Sequence, residues 1–163
     1  MRIRPRLGLA LAVGLAAVAG GAAGLFVAAQ AGANDLPEAK VYLTPQCGCC
    51  GDWVEHLDSE GFDVDVREVD SGELNALKAE AGVSPELASC HTAFIGDYVV
   101  EGHVPAGDIK RLLAEEPGVA GLSVPGRPVG SPGMEMGDRQ DPYDVVAFDA
   151  DGGTAVFASY PQD

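Results

Sequence analysis

The stretch VYLTPQCGCCGDWVEHL, from Val41 to Leu57, places three of the four cysteines of this 163-residue chain within four consecutive positions. It opens with a short β-like run that ends at Thr44-Pro45, and the thiols follow directly. Apolar residues then recur at i, i+3, i+4 and i+7, which predicts a helix that ends near Gly61. The residues at this spacing are Cys50, Trp53, Val54 and Leu57. We therefore expect the thiols at a strand-to-helix junction, on the first turn of the helix.

The next segments extend this pattern. Phe62 to Val69 alternates apolar and charged residues and predicts a half-buried strand, and a short helix with Leu74, Leu77 and Ala81 on one side follows. Two β-rich runs are joined by Gly96-Asp97, a hairpin signal in which Gly supplies the positive φ. Ala106 to Glu116 is the third predicted helix. The order β-α-β-α-β-β-α predicts an α/β, thioredoxin-like domain, with a central mixed sheet and flanking helices, whose first strand-to-helix turn is the reactive corner.

The carboxyl-terminal third changes character. Residues 117–142 hold five of the eleven prolines and many glycines, without helical or alternating periodicity. We expect a long Pro/Gly-rich loop there, and a structureless run of this length in a compact domain is usually functional or disordered. Val145 to Phe148 and Thr154 to Tyr160 predict a terminal hairpin.

The amino terminus has the layout of an export signal. Three arginines lie within the first six residues, and residues 7–29 carry no charge. About 20 apolar residues also span a bilayer, so the segment could remain uncleaved as an anchor. We predict that residues 1–33 are a signal peptide or membrane anchor. Residues 34–163 are then the thioredoxin-like domain of an exported protein, periplasmic or otherwise extracytoplasmic, which meets the membrane only through an uncleaved leader.

The body of the protein is strongly acidic. Residues 34–163 contain seven basic and 25 acidic side chains, a net charge of −18. Such a surface repels nucleic acid and anionic lipid, which excludes nucleic-acid binding, and it attracts cations loosely. The charge by itself does not designate a metal site.

The cysteines carry the candidate chemistry. Cys47 and Cys50 have C-x-x-C spacing at a helix amino terminus, where the helix dipole favours thiolates. Cys49 adds nothing to a dithiol couple but gives a metal site a further ligand. In a thioredoxin-like fold, the loop that carries Cys90 abuts this corner, so a fourth sulfur comes within reach. Cu(I), zinc and iron–sulfur clusters all suit such soft ligands. The predicted export disfavours an iron–sulfur cluster. It does not distinguish copper from zinc.

Three other interpretations of the cysteines stay open. They could form two structural disulfides, although their crowding makes clean pairing awkward. Cys47 and Cys50 could be the catalytic pair of a thiol–disulfide oxidoreductase, in which Cys47 attacks and Cys50 resolves. The site could also sequester or deliver metal passively, without turnover.

Softer candidates lie elsewhere in the chain. Met134 and Met136 are thioethers in the Pro/Gly-rich loop, which suit Cu(I) or simply fill an apolar gap. His91 and His103 flank the hairpin, and each taken singly is more often a structural histidine than a ligand. His56 points away from the apolar stripe of the first helix, so we expect it at the surface.

Three segments together, CGCC followed by Trp53, SCHTAFIGDYVVEGHVP and GLSVPGRPVGSPGMEMG, resemble the exported copper-resistance proteins called CopG, over about residues 40–137. The resemblance implies a thioredoxin-like fold, binding of several Cu(I) ions, and interconversion of Cu(I) and Cu(II) at the cysteines. It implies as partners copper ions and other exported copper-handling proteins or a redox partner. The metal ligands that it implies are Cys47, Cys49, Cys50, Cys90, His91, His103 and Met134. One departure is Arg127, where the family commonly has methionine.

Overall fold

The structure, a computed structural model, describes residues 36–161. The predicted leader lies outside these residues, so its nature stays a prediction. Between positions 36 and 161, no helix has both the length and the apolar character needed to cross a bilayer.

The first strand and helix form as their periodicities predict. Strand β1 (Ala39–Leu43) buries alternate residues, because successive side chains of a strand point to opposite faces of the sheet. Helix α1 (Gly48–Ser59) begins directly after Cys47, its N-cap residue. It buries Cys50, Trp53 and Leu57 along one face. The thiols therefore lie at the strand-to-helix junction, as expected.

The next five elements occur in the predicted order and confirm the thioredoxin-like fold. They are β2 (Val64–Glu68), α2 (Ser71–Glu80), β3 (Thr92–Ile95), β4 (Tyr98–Glu101) and α3 (Ala106–Glu115). Strand β1 pairs parallel with β2 and antiparallel with β3, and β3 pairs antiparallel with β4. Gly96 has a φ of 58° in the β3–β4 turn, so this glycine supplies the positive φ that the hairpin needs.

The prediction that residues 117–142 lack regular structure is wrong at one place. Strand β5 (Gly121–Ser123) pairs parallel with β4 and antiparallel with β6 (Tyr143–Phe148). The predicted terminal hairpin, β6 with β7 (Thr154–Tyr160), therefore continues the central sheet, whose strand order is β2-β1-β3-β4-β5-β6-β7. Three residues are too few to show a strand period in the sequence. Their extended conformation comes from pairing with a strand on each side.

Strand β2 is less buried than its alternation predicts. Val64 is half-buried and Val66 is 41% exposed, whereas we expected both to face the core. The reason is its position at the edge of the sheet that the described residues form, where β1 is the one strand paired with it.

Hydrophobic clusters cover both faces of the sheet. The larger cluster joins Trp53 and Leu57 of α1 to Ile109 and Leu112 of α3 and to Val100 of β4. The smaller cluster contains Val99 of β4 with Val83, Leu87 and Phe148. Because successive strand residues point to opposite faces, Val99 and Val100 place the two clusters on opposite sides of the sheet.

Candidate metal centre

Four sulfur atoms meet at the end of β1. The Sγ atoms of Cys47, Cys49, Cys50 and Cys90 all lie within 4.8 Å of one another. Tyr42 pairs with Thr92 in the antiparallel β1–β3 ladder, so the segment that enters β3 lies beside the end of β1. This pairing brings Cys90 to the three cysteines near α1, as we expected from the fold. The role of these sulfurs as metal ligands stays a prediction.

The four cysteines are in two oxidation states. Cys47 and Cys50 form a disulfide, while Cys49 and Cys90 are free thiols. The sulfurs of Cys47 and Cys49 are 3.8 Å apart. The alternative of two structural disulfides therefore does not describe this structure. The pairing joins the two residues that we predicted as the redox couple.

Two buried histidines extend the cluster from Cys90. The Cys90 sulfur lies 3.1 Å from Nε2 of His103 and 3.4 Å from Nδ1 of His91. Nδ1 of His103 is 2.8 Å from the Pro132 carbonyl, which can only accept, so this nitrogen carries a proton. In the neutral ring Nε2 then has a free lone pair, and it is directed at Cys90. The structure thus gathers two sets of candidate ligand atoms, the four cysteine sulfurs and the group of Cys90, His91 and His103.

Burial disfavours the charged forms of Cys90, His91 and His103. Burial first, and the neighbouring Cys49 second, raise the pKa of the Cys90 thiol to about 11. Burial also lowers the pKa of His103, and it lowers that of His91 well below its usual value. The imidazoles are therefore neutral at physiological pH, and each keeps a nitrogen lone pair that a cation can bind. A cation that replaces the Cys90 proton would leave the thiolate electrostatically compensated.

His91 has an unused donor or acceptor. Its Nε2 atom is buried and has no hydrogen-bond partner among the described residues. The imidazole packs against Trp53, with 4.3 Å between the ring centroids. Buried polar atoms without a partner are uncommon in native proteins and often mark functional sites.

The Pro/Gly-rich loop lies directly on helix α1. Gly133 has a φ of +79°, and a Cβ there would lie 2.7 Å from the Trp53 backbone nitrogen and 3.1 Å from the Cys49 carbonyl oxygen. Only glycine fits this approach. Met134, the next residue, is half-buried, whereas Met136 is 57% exposed. These contacts concern the backbone next to Met134 and not its thioether. The role of the Met134 thioether as a metal ligand therefore stays a prediction.

A buried ion pair, which the sequence did not predict, anchors the backbone next to Cys90. Lys78 Nζ donates to Glu101 Oε1 at 2.5 Å and to the Thr92 hydroxyl at 2.9 Å. The same Glu101 oxygen accepts the Ser89 backbone N–H at 2.6 Å, one residue before Cys90. Lys78 lies four residues after Leu74, on the buried face of α2, and this spacing was the one available signal.

The prediction that His56 is a surface residue is wrong. His56 is half-buried, and its Nε2 accepts the backbone N–H of Ala106 at 3.1 Å. Ala106 is the first residue of α3, and its N-cap residue Pro105 makes no side-chain cap. A residue of α1 therefore satisfies one of the free amide groups at the start of α3. A helical period gives no sign of a partner 50 positions away.

The comparisons with known proteins follow the same residues. A family described as "Protein of unknown function, DUF411" matches residues 87–134, which include Cys90, both buried histidines and Met134. Solved structures of the copper resistance protein CopG in forms 1 and 2 are each 46% identical to this chain and cover 77% of it. They are covered over 99% and 98% of their own length, with TM-scores of 0.72 and 0.71. No curated protein matches the chain. With this identity and coverage, the chain belongs to the CopG family of copper resistance proteins.

Proposed function

We propose that this protein is an exported copper-binding protein of copper resistance, and that it binds Cu(I) through Cys47, Cys49, Cys50 and Cys90. The observation that carries the proposal is the meeting of the four sulfurs within 4.8 Å. The names of the related structures support copper as the metal, since they are copper resistance proteins.

The donor set suits a soft cation. Thiolates and imidazoles bind Cu(I) and zinc well, whereas magnesium and calcium prefer oxygen ligands. Four sulfurs so close together can bridge more than one Cu(I) ion. His91 and His103 supply neutral nitrogen donors beside Cys90, and we propose both, with Met134, as additional ligands.

We further propose that the Cys47–Cys50 pair exchanges electrons with copper. Oxidation of the dithiol to the disulfide releases two electrons and two protons, and those electrons reduce two Cu(II) ions to Cu(I). The disulfide form keeps only two thiols, Cys49 and Cys90. We therefore expect the oxidised protein to hold fewer Cu(I) ions than the reduced protein.

The test of the binding site replaces all four cysteines by serine in the full-length protein. Copper content is measured by elemental analysis on anaerobically loaded samples, beside a free-thiol count on the same samples. We expect the variant to lose the bound Cu(I), and a His56→Gln variant, which keeps every sulfur, to retain it. Unchanged copper binding in the serine variant would contradict the proposal.

Stopped-flow oxidation separates turnover from passive storage. A redox-active site accelerates the conversion of Cu(I) to Cu(II) when an electron acceptor is present. A passive binder slows the same oxidation, because it shields the ion.

The second candidate function is thiol–disulfide exchange, which the observed Cys47–Cys50 disulfide favours. In this case the metal-free protein reduces a disulfide substrate, with Cys47 as nucleophile and Cys50 as resolving thiol. Activity that disappears in Cys47→Ser but persists in Cys49→Ser would favour this candidate.

The leader is proposed from its sequence alone. Determining the amino-terminal sequence of the protein after expression in an exporting host distinguishes a cleaved signal peptide from a retained anchor. Cleavage near residue 33 is the result expected for a signal peptide.

A further inference from the structure

A cavity of about 290 Å³ opens beside the cysteine cluster. Cys47 and Cys90 form part of its wall, and polar side chains such as Ser71, Asn75 and Ser89 form much of the remainder. Among residues 36–161, the charged residues that line it are Lys78 and Arg127, and no Asp or Glu of that range lines it. This is a local inversion of charge in a chain with 25 acidic residues and a net charge of −15.

Arg127 is the cation that a ligand could reach. It is exposed, and none of the ion pairs within residues 36–161 includes it. Lys78 is engaged with Glu101 and Thr92, and its side chain is only 8% exposed. A small anion that enters the cavity therefore meets the Arg127 guanidinium, which matches a carboxylate in shape and charge.

The cavity also selects one sulfur of the disulfide. Cys47 lines the cavity and is half-buried, whereas Cys50 does not line it and is fully buried. A nucleophile in the cavity therefore meets the Cys47 sulfur, with Cys50 as the leaving group.

We propose that this cavity binds a small thiol that carries a carboxylate, and that this thiol reduces the Cys47–Cys50 disulfide. The inference rests on the proposed function, because reduction restores the dithiol that binds copper and donates electrons to it. Arg127 holds the carboxylate and so brings the thiolate to Cys47.

The reaction balances with two thiol molecules. The first thiolate attacks the Cys47 sulfur, the Cys47–Cys50 bond breaks, and Cys50 leaves as a thiolate that takes up a proton. The second thiolate attacks the ligand sulfur of this mixed disulfide, which releases Cys47 as a thiolate and forms the disulfide of the small thiol. Two electrons pass from two thiols to the protein.

The test measures the rate of disulfide reduction in metal-free, full-length protein in a non-ionic detergent. The probes are 3-mercaptopropionate, which is anionic, 2-mercaptoethanol, which is neutral, and cysteamine, which is cationic. Each rate constant is divided by the rate constant of the same thiol with a small neutral disulfide. In the wild type we expect the anionic thiol to react about tenfold faster than the neutral one, the lower end of electrostatic focusing in a cleft.

Matched charge reversals separate the cavity from the overall field of the protein. Arg127→Glu should abolish the preference for the anionic thiol, whereas Arg67→Glu should keep it within about twofold, because both variants change the net charge equally. Arg67 lies at the edge of the sheet, away from the lining of this cavity. Equal normalised rates for the anionic and neutral thiols in the wild type would overturn the proposal, and so would an Arg127→Glu variant that keeps the preference.

Copper content, measured on the same variants after chemical reduction, keeps the two proposals apart. Normal copper binding without any thiol preference overturns only the cavity proposal. A retained thiol preference without copper binding overturns only the proposed copper function.

Discussion

Cys90 is the residue that connects the two sets of donor atoms. Its sulfur belongs both to the group of four cysteines and to the group with His91 and His103. The loop that carries it is anchored through the Ser89 N–H on Glu101, and Glu101 is in turn paired with Lys78. Loss of this single thiol would therefore remove one candidate ligand from each set.

The two methionines of the loop offer a matched comparison. We expect Met134→Leu to weaken Cu(I) binding by about tenfold, the scale on which supporting partners act in metal sites. Met136→Leu should have no effect, because Met136 is 57% exposed. Competition with a chromogenic Cu(I) chelator measures both affinities. Equal affinities for the wild type and Met134→Leu would contradict a role of Met134 as a ligand and leave it a packing role only.

At the scale of elements, helix α3 depends on a neutral His56. Burial lowers the pKa of His56 below 6.5, and its Nε2 must be unprotonated to accept the Ala106 N–H. As the pH falls below about 6.5, the unfolded chain binds more protons at this residue than the folded protein does, so stability decreases.

The corresponding prediction compares the wild type with His56→Gln. The glutamine carbonyl can accept the same N–H but does not titrate, so the variant should lose less unfolding free energy between pH 7 and pH 5. Urea denaturation at several pH values measures this. Because the pKa values of His91 and His103 are also lowered, both proteins should lose stability in acid, and identical slopes would contradict a role for His56.

Helix α3 also holds the last strand through Arg111. Its guanidinium donates to the Phe157 carbonyl at 2.9 Å and to Asp108 at 3.1 Å, and it lies 3.8 Å above the Phe157 ring. The Asp108 side chain is only 6% exposed and also accepts the Tyr160 hydroxyl. Arg111 therefore stabilises the contact between α3 and β7.

We expect Arg111→Met to destabilise the protein by about 1–3 kcal/mol, because it leaves a buried acceptor partly unsatisfied. Lys110→Met is the control: Lys110 pairs with Glu60 at the surface, and such pairs contribute at most about 1 kcal/mol. Chemical denaturation measures both free energies of unfolding. Equal losses in the two variants would show that Arg111 has no special role in holding β7.

Periodicity predicted most elements, because helices and strands with one buried face repeat their apolar residues regularly. It predicted the buried face of α1, while the Gly96-Asp97 pair predicted the position of the β3–β4 turn. It failed at β5, whose strand conformation comes from its two neighbours, and at Val66, whose exposure comes from its position at the sheet edge.

The approach of Cys90 to the other sulfurs could be predicted from topology, since antiparallel pairing with β1 fixes where β3 begins. Side-chain partners that are distant in sequence could not be predicted in this way. The Lys78–Glu101 pair and the His56–Ala106 bond join residues 23 and 50 positions apart, and both depend on how helices pack. The charge pattern of the chain equally gave no sign that the cavity at the cluster has no acidic side chain in the part of its lining that the structure describes.

At the scale of the whole molecule, the dominant property is negative charge. The entire chain carries −15, and mutual repulsion of like charges destabilises a compact state. Dissolved salt screens this repulsion, with a Debye length that falls to about 3 Å at 1 M.

We therefore expect the Tm to rise by about 3–5 °C between 10 mM and 0.5 M NaCl, which corresponds to about 1 kcal/mol for a domain of this size. Scanning calorimetry measures it. An equal increase with KCl distinguishes screening from specific binding of sodium. A Tm that does not change with salt would show that the charges are already balanced locally.

The close approach of Gly133 to α1 restricts which residues this position can hold. Any side chain at this position would separate the loop from the helix, and the carbonyl of the preceding Pro132 would move away from His103. His103 could then place its proton on either nitrogen, and its lone pair would no longer be reserved for Cys90. An alanine at this position, 43 residues after Cys90 in the sequence, would thus disturb the proposed copper site through the tautomer of His103, although it replaces no sulfur.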